Sequence, residues 1–221
     1  MSPGEVAALL FSVFAVLIVL RVPVAFALGL ACVPVFFIED RLTPIMLLRE
    51  MFKSYNSFVL LAVPFFLLAA NLMNAAGITE QLIRLSRAMV GHLPGGLGHI
   101  NVVVSMMFAG ISGSSTADAA GIGSVLIPSM KKQGYDSSFS VAITACSSVM
   151  GAIIPPSVIM IVYGSLASNV SISALFLAGI VPGVLIGLLM MLVVYFLSRK
   201  RGYPRSERRA TVKEWFAAFK R

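Results

Sequence analysis

The chain has 221 residues, of which 58% are hydrophobic and only 12% are charged, and its formal net charge at pH 7 is +8. A soluble domain carries about 25% charged residues, so this composition excludes an ordinary soluble protein and predicts an all-α polytopic protein of the lipid bilayer. The basic residues cluster at the ends of apolar runs and are not interleaved with aromatic residues, so we expect no nucleic-acid partner.

Residues 1–57 are predicted to form two scaffold spans and an interfacial helix. Two apolar runs, about Val6–Leu20 and Val22–Ile38, are near the shortest length that crosses a bilayer as a helix. The segment "TPIMLLREMFKSY" alternates apolar and charged residues at helical spacing and is too short and polar to cross, which is typical of a helix in the membrane interface. No basic residue precedes the first run and no cleavage site follows it, so we expect a retained span with its N-terminus outside.

Residues 58–92 are predicted to form a third span and a connecting helix. The span covers about Phe58–Ala75. The segment "GITEQLIRLSRAMVGHLPGG" then places apolar residues on one helical face and Arg84 and Arg87 on the other. Thr79 is the expected N-cap of this amphipathic helix.

A polar stretch, "GISGSSTADAAGIG" at 110–123, lies between two short apolar segments. About a dozen residues precede it, which as a helix reach only ~18 Å into a ~30 Å hydrocarbon core. We therefore predict a re-entrant hairpin over about 100–131 with the polar stretch at its tip. Ser115 or Thr116 is expected to cap the returning half-helix, and Asp118 in its first turn would complement the helix dipole.

A broken helix is predicted over about 137–168, because Pro155 and Pro156 interrupt its apolar run in "GAIIPPS". The last span covers about 174–198, in which Ala174–Leu197 carries no charge over 24 residues. A basic tail follows at 199–221. If the hairpin enters and leaves on one side, most of the 17 lysine and arginine residues fall inside the cell, with the tail cytoplasmic and the N-terminus outside.

The two breaks predict a cation site built from neutral oxygens. A helix that stops within the membrane exposes carbonyls at one end and amides at the other, and secondary transporters pair such elements at the bilayer midplane. Hydroxyls and unwound carbonyls suit a hard cation such as sodium. The candidate sodium-binding residues are Ser112, Gly113, Ser114, Ser115, Thr116, Gly151 and Pro155, with a further hydroxyl at Ser157.

Other interpretations of these residues remain open. The small residues of 110–123 would also allow close helix packing, and the two prolines would also produce a plain kink. Asp118 is either a structural carboxylate or a proton carrier, since acids at membrane depth are functional candidates. The sequence contains no nucleophile–base set and no Cys/His cluster, which predicts no enzyme, no organic cofactor and no transition-metal site.

The segment from "FAGISGSSTADAAGIG" to "GAIIPPSVIMIVYG" closely resembles the first hairpin and following broken helix of the large membrane subunit of TRAP (tripartite ATP-independent periplasmic) transporters. The preceding segment, from "LLAVPFFLLAANLMNAAG" onward, is also similar to that family. The resemblance covers about Phe58–Arg201 and implies an elevator-type secondary transporter built from inverted repeats. Residues 93–168 would be half of its transport domain.

The resemblance implies sodium as the coupling ion and an organic carboxylate as the substrate, in a bacterial inner membrane. It also implies two partners, a small membrane subunit and a periplasmic substrate-binding protein. A substrate cavity would lie beside the sodium site, at Ser115, Thr116, Asp118, Pro156 and Ser157. The family's large subunit is about twice as long, so this chain resembles its N-terminal half and a C-terminal repeat would be a further partner. The alternatives are a channel-like protein and a non-transporting membrane scaffold.

Overall fold

The computed structural model describes residues 2–38, 43–56, 58–167 and 169–204, and these residues are helical with no strand among them. The prediction of an all-α protein is therefore confirmed for this part of the chain. The "EDR" that follows the second predicted span and the tail beyond residue 204 lie outside the described residues. The chain forms two compact units, Met1–Ser57 and Phe58–Arg221.

The first unit contains helices α1 (Pro3–Val19), α2 (Val24–Ala31), α3 (Val33–Ile38) and α4 (Pro44–Tyr55). Ser2 caps α1, and the Ser2 amide donates to the Glu5 carboxylate at 2.8 Å. The second predicted span is divided in two at Cys32. Pro34 explains this division, because it lacks the amide that would continue the helical ladder and its ring clashes with the preceding turn.

The second unit begins with a 3-10 turn (Phe58–Leu61), α5 (Ala62–Ala75) and α6 (Ile78–Val90). The predicted cap of α6 is wrong: Gly77, with a φ of +76°, occupies the N-cap, and Thr79 lies buried in the first turn. A left-handed entry into the helix suits glycine and moves the helix start upstream of the threonine.

A helical hairpin forms the centre of this unit. Its two arms are α7 (Gly96–Ser112) and α8 (Ser115–Lys132), and the next helix is α9 (Ser137–Ser148). The amide of Asn101, near the start of α7, lies 3.9 Å from the sulfur of Met130, near the end of α8, so the two arms are antiparallel. Helix α7 is buried along most of its length, as expected for a helix that is apolar on all sides.

The predicted broken helix is interrupted as expected. A 3-10 turn (Val149–Ala152) follows α9, and α10 (Val158–Leu166) starts after the two prolines. The last helix, α11 (Ile172–Arg201), is the only helix of the described residues that is by itself long and apolar enough to cross a membrane. Only 17% of its most apolar stretch of 18 residues is buried. An apolar helix this exposed belongs in lipid rather than in the core of a soluble protein.

Candidate functional site at the hairpin tip

The hairpin turns at two residues, Gly113 and Ser114. Gly113 ends α7 with a φ of +62°, in the left-handed region that favours glycine. Ser114 is the N-cap of α8, where its hydroxyl accepts from the Ala117 amide at 3.4 Å. The cap is thus one residue upstream of the predicted Ser115 or Thr116, because the chain leaves the extended conformation at Ser114.

Asp118 lies in the first turn of α8, as predicted, and is fully buried. Its Oδ1 accepts a hydrogen bond from the hydroxyl of Ser112, which is also fully buried. Its Oδ2 has no hydrogen-bond partner among the described residues. The positive end of the α8 dipole favours a negative charge at this position.

The broken helix closes over this tip. A methyl group added at Gly151 would collide with Asp118 Oδ2 and lie 3.1 Å from the carbonyl carbon of Ser114. The Val158 amide, in the first turn of α10, donates to the Gly113 carbonyl at 3.1 Å. Ser157 caps α10 and its hydroxyl donates to the Ala152 carbonyl at 2.7 Å. The two breaks therefore meet, and α8 and α10 both begin at this junction.

The structure brings together only part of the predicted residue sets. The members linked to one another by contacts are Ser112, Gly113, Ser114, Asp118, Gly151 and Pro156. Ser157 follows Pro156 in the chain, but its hydroxyl bonds to the Ala152 carbonyl. Ser115 lies within the first turn of α8, and the exposed Thr116 pairs with the Ser114 hydroxyl at 3.0 Å. Pro155 faces Gly110 instead, with 3.8 Å between its carbonyl oxygen and a methyl group added there.

A buried polar network between α7 and α9 was not predicted. The Asn101 amide donates to the Thr144 hydroxyl at 2.7 Å, and the Ser147 hydroxyl donates to the Asn101 oxygen at 2.9 Å. The Ser105 hydroxyl donates to that of Ser147 at 2.9 Å. The sequence does contain a pattern that indicates this network. Inside each of two apolar runs, polar residues stand three or four positions apart, which places them on one helical face. The network holds α7 in register with α9 and so positions the tip against the break.

Three glycines of α11 were also missed. Gly179 and Gly183 pack against Ile153 and Ile154 of the break, and Gly187 packs against Met106 of α7. Their spacing of four residues is the small-residue pattern of close helix contacts in membranes. Added side chains would displace the break and the hairpin arm from α11.

The opposite end of the hairpin is closed by a polar and aromatic cluster. The Asp136 carboxylate accepts from the Tyr203 hydroxyl at 2.7 Å and from the Arg201 guanidinium at 2.8 Å. The Tyr135 and Tyr203 rings stack with 4.6 Å between their centroids. The Tyr203 hydrogen bond and the Arg201 charge lower the pKa of Asp136 from its ordinary value. These contacts fix the end of α11 to the loop between α8 and α9.

A family of transport proteins matches most of this chain. Residues 11–221 match the family model described as the tripartite ATP-independent periplasmic transporter, DctM component. The chain therefore belongs to this family of transport proteins. This membership confirms the suspected resemblance, and it agrees with the prediction that the chain is not an enzyme.

Several similar curated proteins are named as permeases. The chain is 45% identical over 174 residues to the sialic acid TRAP transporter large permease protein SiaM of Vibrio cholerae, covering 77% of this chain and 40% of the relative. It is 42% identical over 209 residues to the sialic acid TRAP transporter permease protein SiaT of Haemophilus influenzae, covering 94% and 33%. It is 38% identical over 199 residues to the C4-dicarboxylate TRAP transporter large permease protein DctM of V. cholerae, covering 90% and 44%. The chain thus spans less than half the length of these relatives.

Proposed function

We propose that this chain supplies one repeat of a sodium-coupled, elevator-type secondary transporter that imports organic carboxylates. Its partners would be a C-terminal repeat, a small membrane subunit and a periplasmic substrate-binding protein, in the inner membrane of a bacterium. The N-terminus would be periplasmic and the basic tail cytoplasmic. The similar permeases named above serve sialic acid and C4-dicarboxylates, both of which carry carboxylates at neutral pH.

The observation that supports sodium coupling is the junction between the two breaks. Asp118 is fully buried, and its Oδ2 has no hydrogen-bond partner among the described residues. A buried carboxylate oxygen without a partner costs several kcal/mol, and a bound cation would offset that cost. The Ser112 hydroxyl bonds to the other oxygen of Asp118, and the backbone of Gly151 and Ser114 lies close by. Hydroxyls and backbone carbonyls are ligands that hard cations accept. The junction fits sodium by the chemistry of its oxygens.

We assign Asp118, Ser112, Gly113, Ser114 and Gly151 to the centre of this cation site. The other candidates, Ser115, Thr116 and Pro155, would complete it from the two flanks. The substrate cavity would lie beside it, at Ser115, Thr116, Pro156 and Ser157. Both α8 and α10 begin there, and the positive ends of their dipoles would favour a substrate carboxylate. The resemblance also implies Asp118 in that cavity, but Asp118 is better suited to the cation because it is fully buried.

The direct test is binding of sodium to the purified chain. A ligand that binds only the folded state stabilises it by about 2.7 kcal/mol at 100 times its dissociation constant. We expect the melting temperature to rise with NaCl but not with KCl at equal ionic strength. Asp118→Asn should abolish this difference, and Asp136→Asn, the same change outside the tip, should retain it. Equal stabilisation of the wild type by both salts would remove the sodium assignment.

Transport is tested by uptake into proteoliposomes that contain the chain with its C-terminal repeat, small subunit and loaded binding protein. An inward sodium gradient should drive uptake of a carboxylate, and a potassium gradient should not. Equal uptake with either ion would contradict sodium coupling and favour Asp118 as a proton carrier. A lack of uptake by a preparation that binds its loaded partner would favour a scaffold.

A further inference from the structure

An apolar groove of about 380 Å³ lies between α9 and α11, away from the hairpin tip. Its lining includes Phe139 and Cys146 of α9, and Ile186, Leu189, Val193 and Leu197 of α11. Leu189 and Val193 are 52% and 55% exposed, so the groove opens sideways. On a membrane-spanning helix this opening faces the hydrocarbon of the bilayer or a partner.

The size of the groove favours a single extended chain as its occupant. A helix is 10–12 Å wide with its side chains, so it would lie across the opening and insert only some of its side chains. A hydrocarbon chain is narrow and flexible, and it matches walls that are apolar. The volume is also within the range of sites that bind small molecules.

The charge at one end of the groove favours an anionic headgroup. Leu189, Val193, Leu197 and Lys200 are spaced by four, four and three residues, which places Lys200 on the groove-lining face of α11. Lys200 is exposed and forms no ion pair with any residue that the structure describes. Asp136, the acid that contacts this end of α11, is already paired with Arg201 at 2.8 Å. This end of the groove therefore presents an uncompensated positive charge.

We propose that the groove between α9 and α11 holds an acyl chain of an anionic phospholipid, with the Lys200 ammonium paired to the lipid phosphate. Basic residues that follow a membrane helix attract anionic lipids by charge, and the groove adds contacts that ordinary surrounding lipid lacks. The lipid would lie along α11 and brace it against α9.

Native mass spectrometry of the full chain in detergent tests this site, with phosphatidylglycerol or phosphatidylcholine added. The wild type should retain one phosphatidylglycerol with several-fold higher occupancy than phosphatidylcholine. Cys146→Trp should fill the groove and abolish retention. Val181→Trp, at an α11 position that is 73% exposed and outside the lining, should retain the lipid.

Lys200→Gln tests the headgroup contact without changing the groove. It should weaken phosphatidylglycerol binding about five-fold, as expected for one basic residue near an anionic surface, and leave phosphatidylcholine unchanged. Because Lys200 is exposed, this variant should fold even if Cys146→Trp does not. Undiminished retention by Cys146→Trp, or equal retention of the two lipids by the wild type, would overturn the proposal. A bound second copy of the chain in place of lipid would also overturn it.

Discussion

The middle of the α7–α9 interface and the tip of the hairpin bury the same kinds of polar group but satisfy them differently. In the middle, the Asn101 side chain donates to Thr144 at 2.7 Å and accepts from Ser147 at 2.9 Å, so both its oxygen and its nitrogen are satisfied. At the tip, Asp118 uses one carboxylate oxygen with Ser112 and leaves the other without a partner among the described residues.

This difference distinguishes structural from functional polar groups. A satisfied network in a low-dielectric interior rigidifies the helix pair that it joins. An unsatisfied buried oxygen lowers stability unless something binds to it. The two regions share only α7: the network joins it to α9, whereas Asp118 is on α8. Changes in the network should therefore alter stability, and changes at the tip should alter cation binding.

The largest effect is expected from Gly151→Ala. The added methyl group would collide with Asp118 Oδ2 and lie 3.0 Å from Asp118 Cγ, so the carboxylate must move. Overpacking of this kind costs about 1–3 kcal/mol. Sodium affinity, measured from the salt dependence of the melting temperature, should fall at least about ten-fold, or about 1.4 kcal/mol.

Gly110→Ala is the matched control for this variant. Its methyl group would meet only the Pro155 carbonyl oxygen, at an ordinary 3.8 Å. It should leave both stability and sodium affinity nearly unchanged. If Gly151→Ala binds sodium as well as Gly110→Ala does, Gly151 does not belong to the cation site.

Asn101→Leu should lower the stability of the fold and leave sodium binding unchanged. It removes the amide that donates to the Thr144 hydroxyl and the oxygen that accepts from the Ser147 hydroxyl, and both hydroxyls are buried. Hydrogen bonds between membrane helices contribute about 0.6 kcal/mol on average and up to about 1.7, so we expect a loss of about 1–2 kcal/mol. Chemical denaturation in detergent measures this loss. Ser129→Ala, which removes a bond within α8 only, is the control.

If Asn101 serves only the network, the melting temperature of Asn101→Leu should still rise more with NaCl than with KCl, as it does for the wild type. A variant that loses sodium binding while keeping its unfolding free energy would show that Asn101 serves the tip directly. The distinction between the two regions would then fail.

A smaller effect is expected from Ser114→Ala at the tip. Loss of a helix N-cap costs about 0.5–2 kcal/mol, and the bond from the Ala117 amide is long, at 3.4 Å, so the lower end applies. If the Ser114 hydroxyl also binds the cation, sodium affinity should fall more than stability does. Ser114→Thr keeps a hydroxyl and should restore both.

The two breaks could be predicted from sequence because their causes are local. Adjacent prolines remove backbone donors wherever they stand in a helix, and a run of glycine and hydroxyl residues between apolar segments indicates a turn. The start of α8 was misplaced by one residue, since several neighbouring hydroxyls are equally good caps and only the backbone selects Ser114.

The contacts around Asp118 and Asn101 could not be predicted in the same way. Both residues are conspicuous as polar groups in apolar surroundings, but their partners come from other helices. The Ser112 bond depends on the turn at Gly113, and the approach of Gly151 depends on the break being held against α11 by Gly179 and Gly183. The spacing of residues within one segment does not indicate such contacts between segments that are distant in the sequence.

The smallest expected effect concerns the far end of the hairpin, where the polar groups are exposed. The pKa of Asp136 is lowered by the Tyr203 hydrogen bond and by Arg201. Its contribution to stability is therefore complete above the ordinary aspartate pKa of about 3.9 and is lost as the pH falls through the lower folded-state pKa. Asp136→Asn should reduce the melting temperature slightly at pH 7 and not at all in strong acid. Because this pair is exposed, salt should screen the effect.

The matched comparison is Glu80→Gln, which removes an exposed carboxylate that lies 3.7 Å from Arg84 within α6. Both variants lose one surface carboxylate, but only Asp136 joins the end of α11 to the loop before α9. A pH-dependent difference in Asp136→Asn alone would show that the cluster fastens α11 to the hairpin. Equal behaviour of the two variants would mean that the aromatic stacking of Tyr135 and Tyr203 is sufficient. The end of the hairpin at Asp136 would then differ from the α7–α9 interface, because ring stacking and not hydrogen bonding would hold it. Neither region would bind a ligand through its polar groups, and the tip would remain the part of the hairpin where they do.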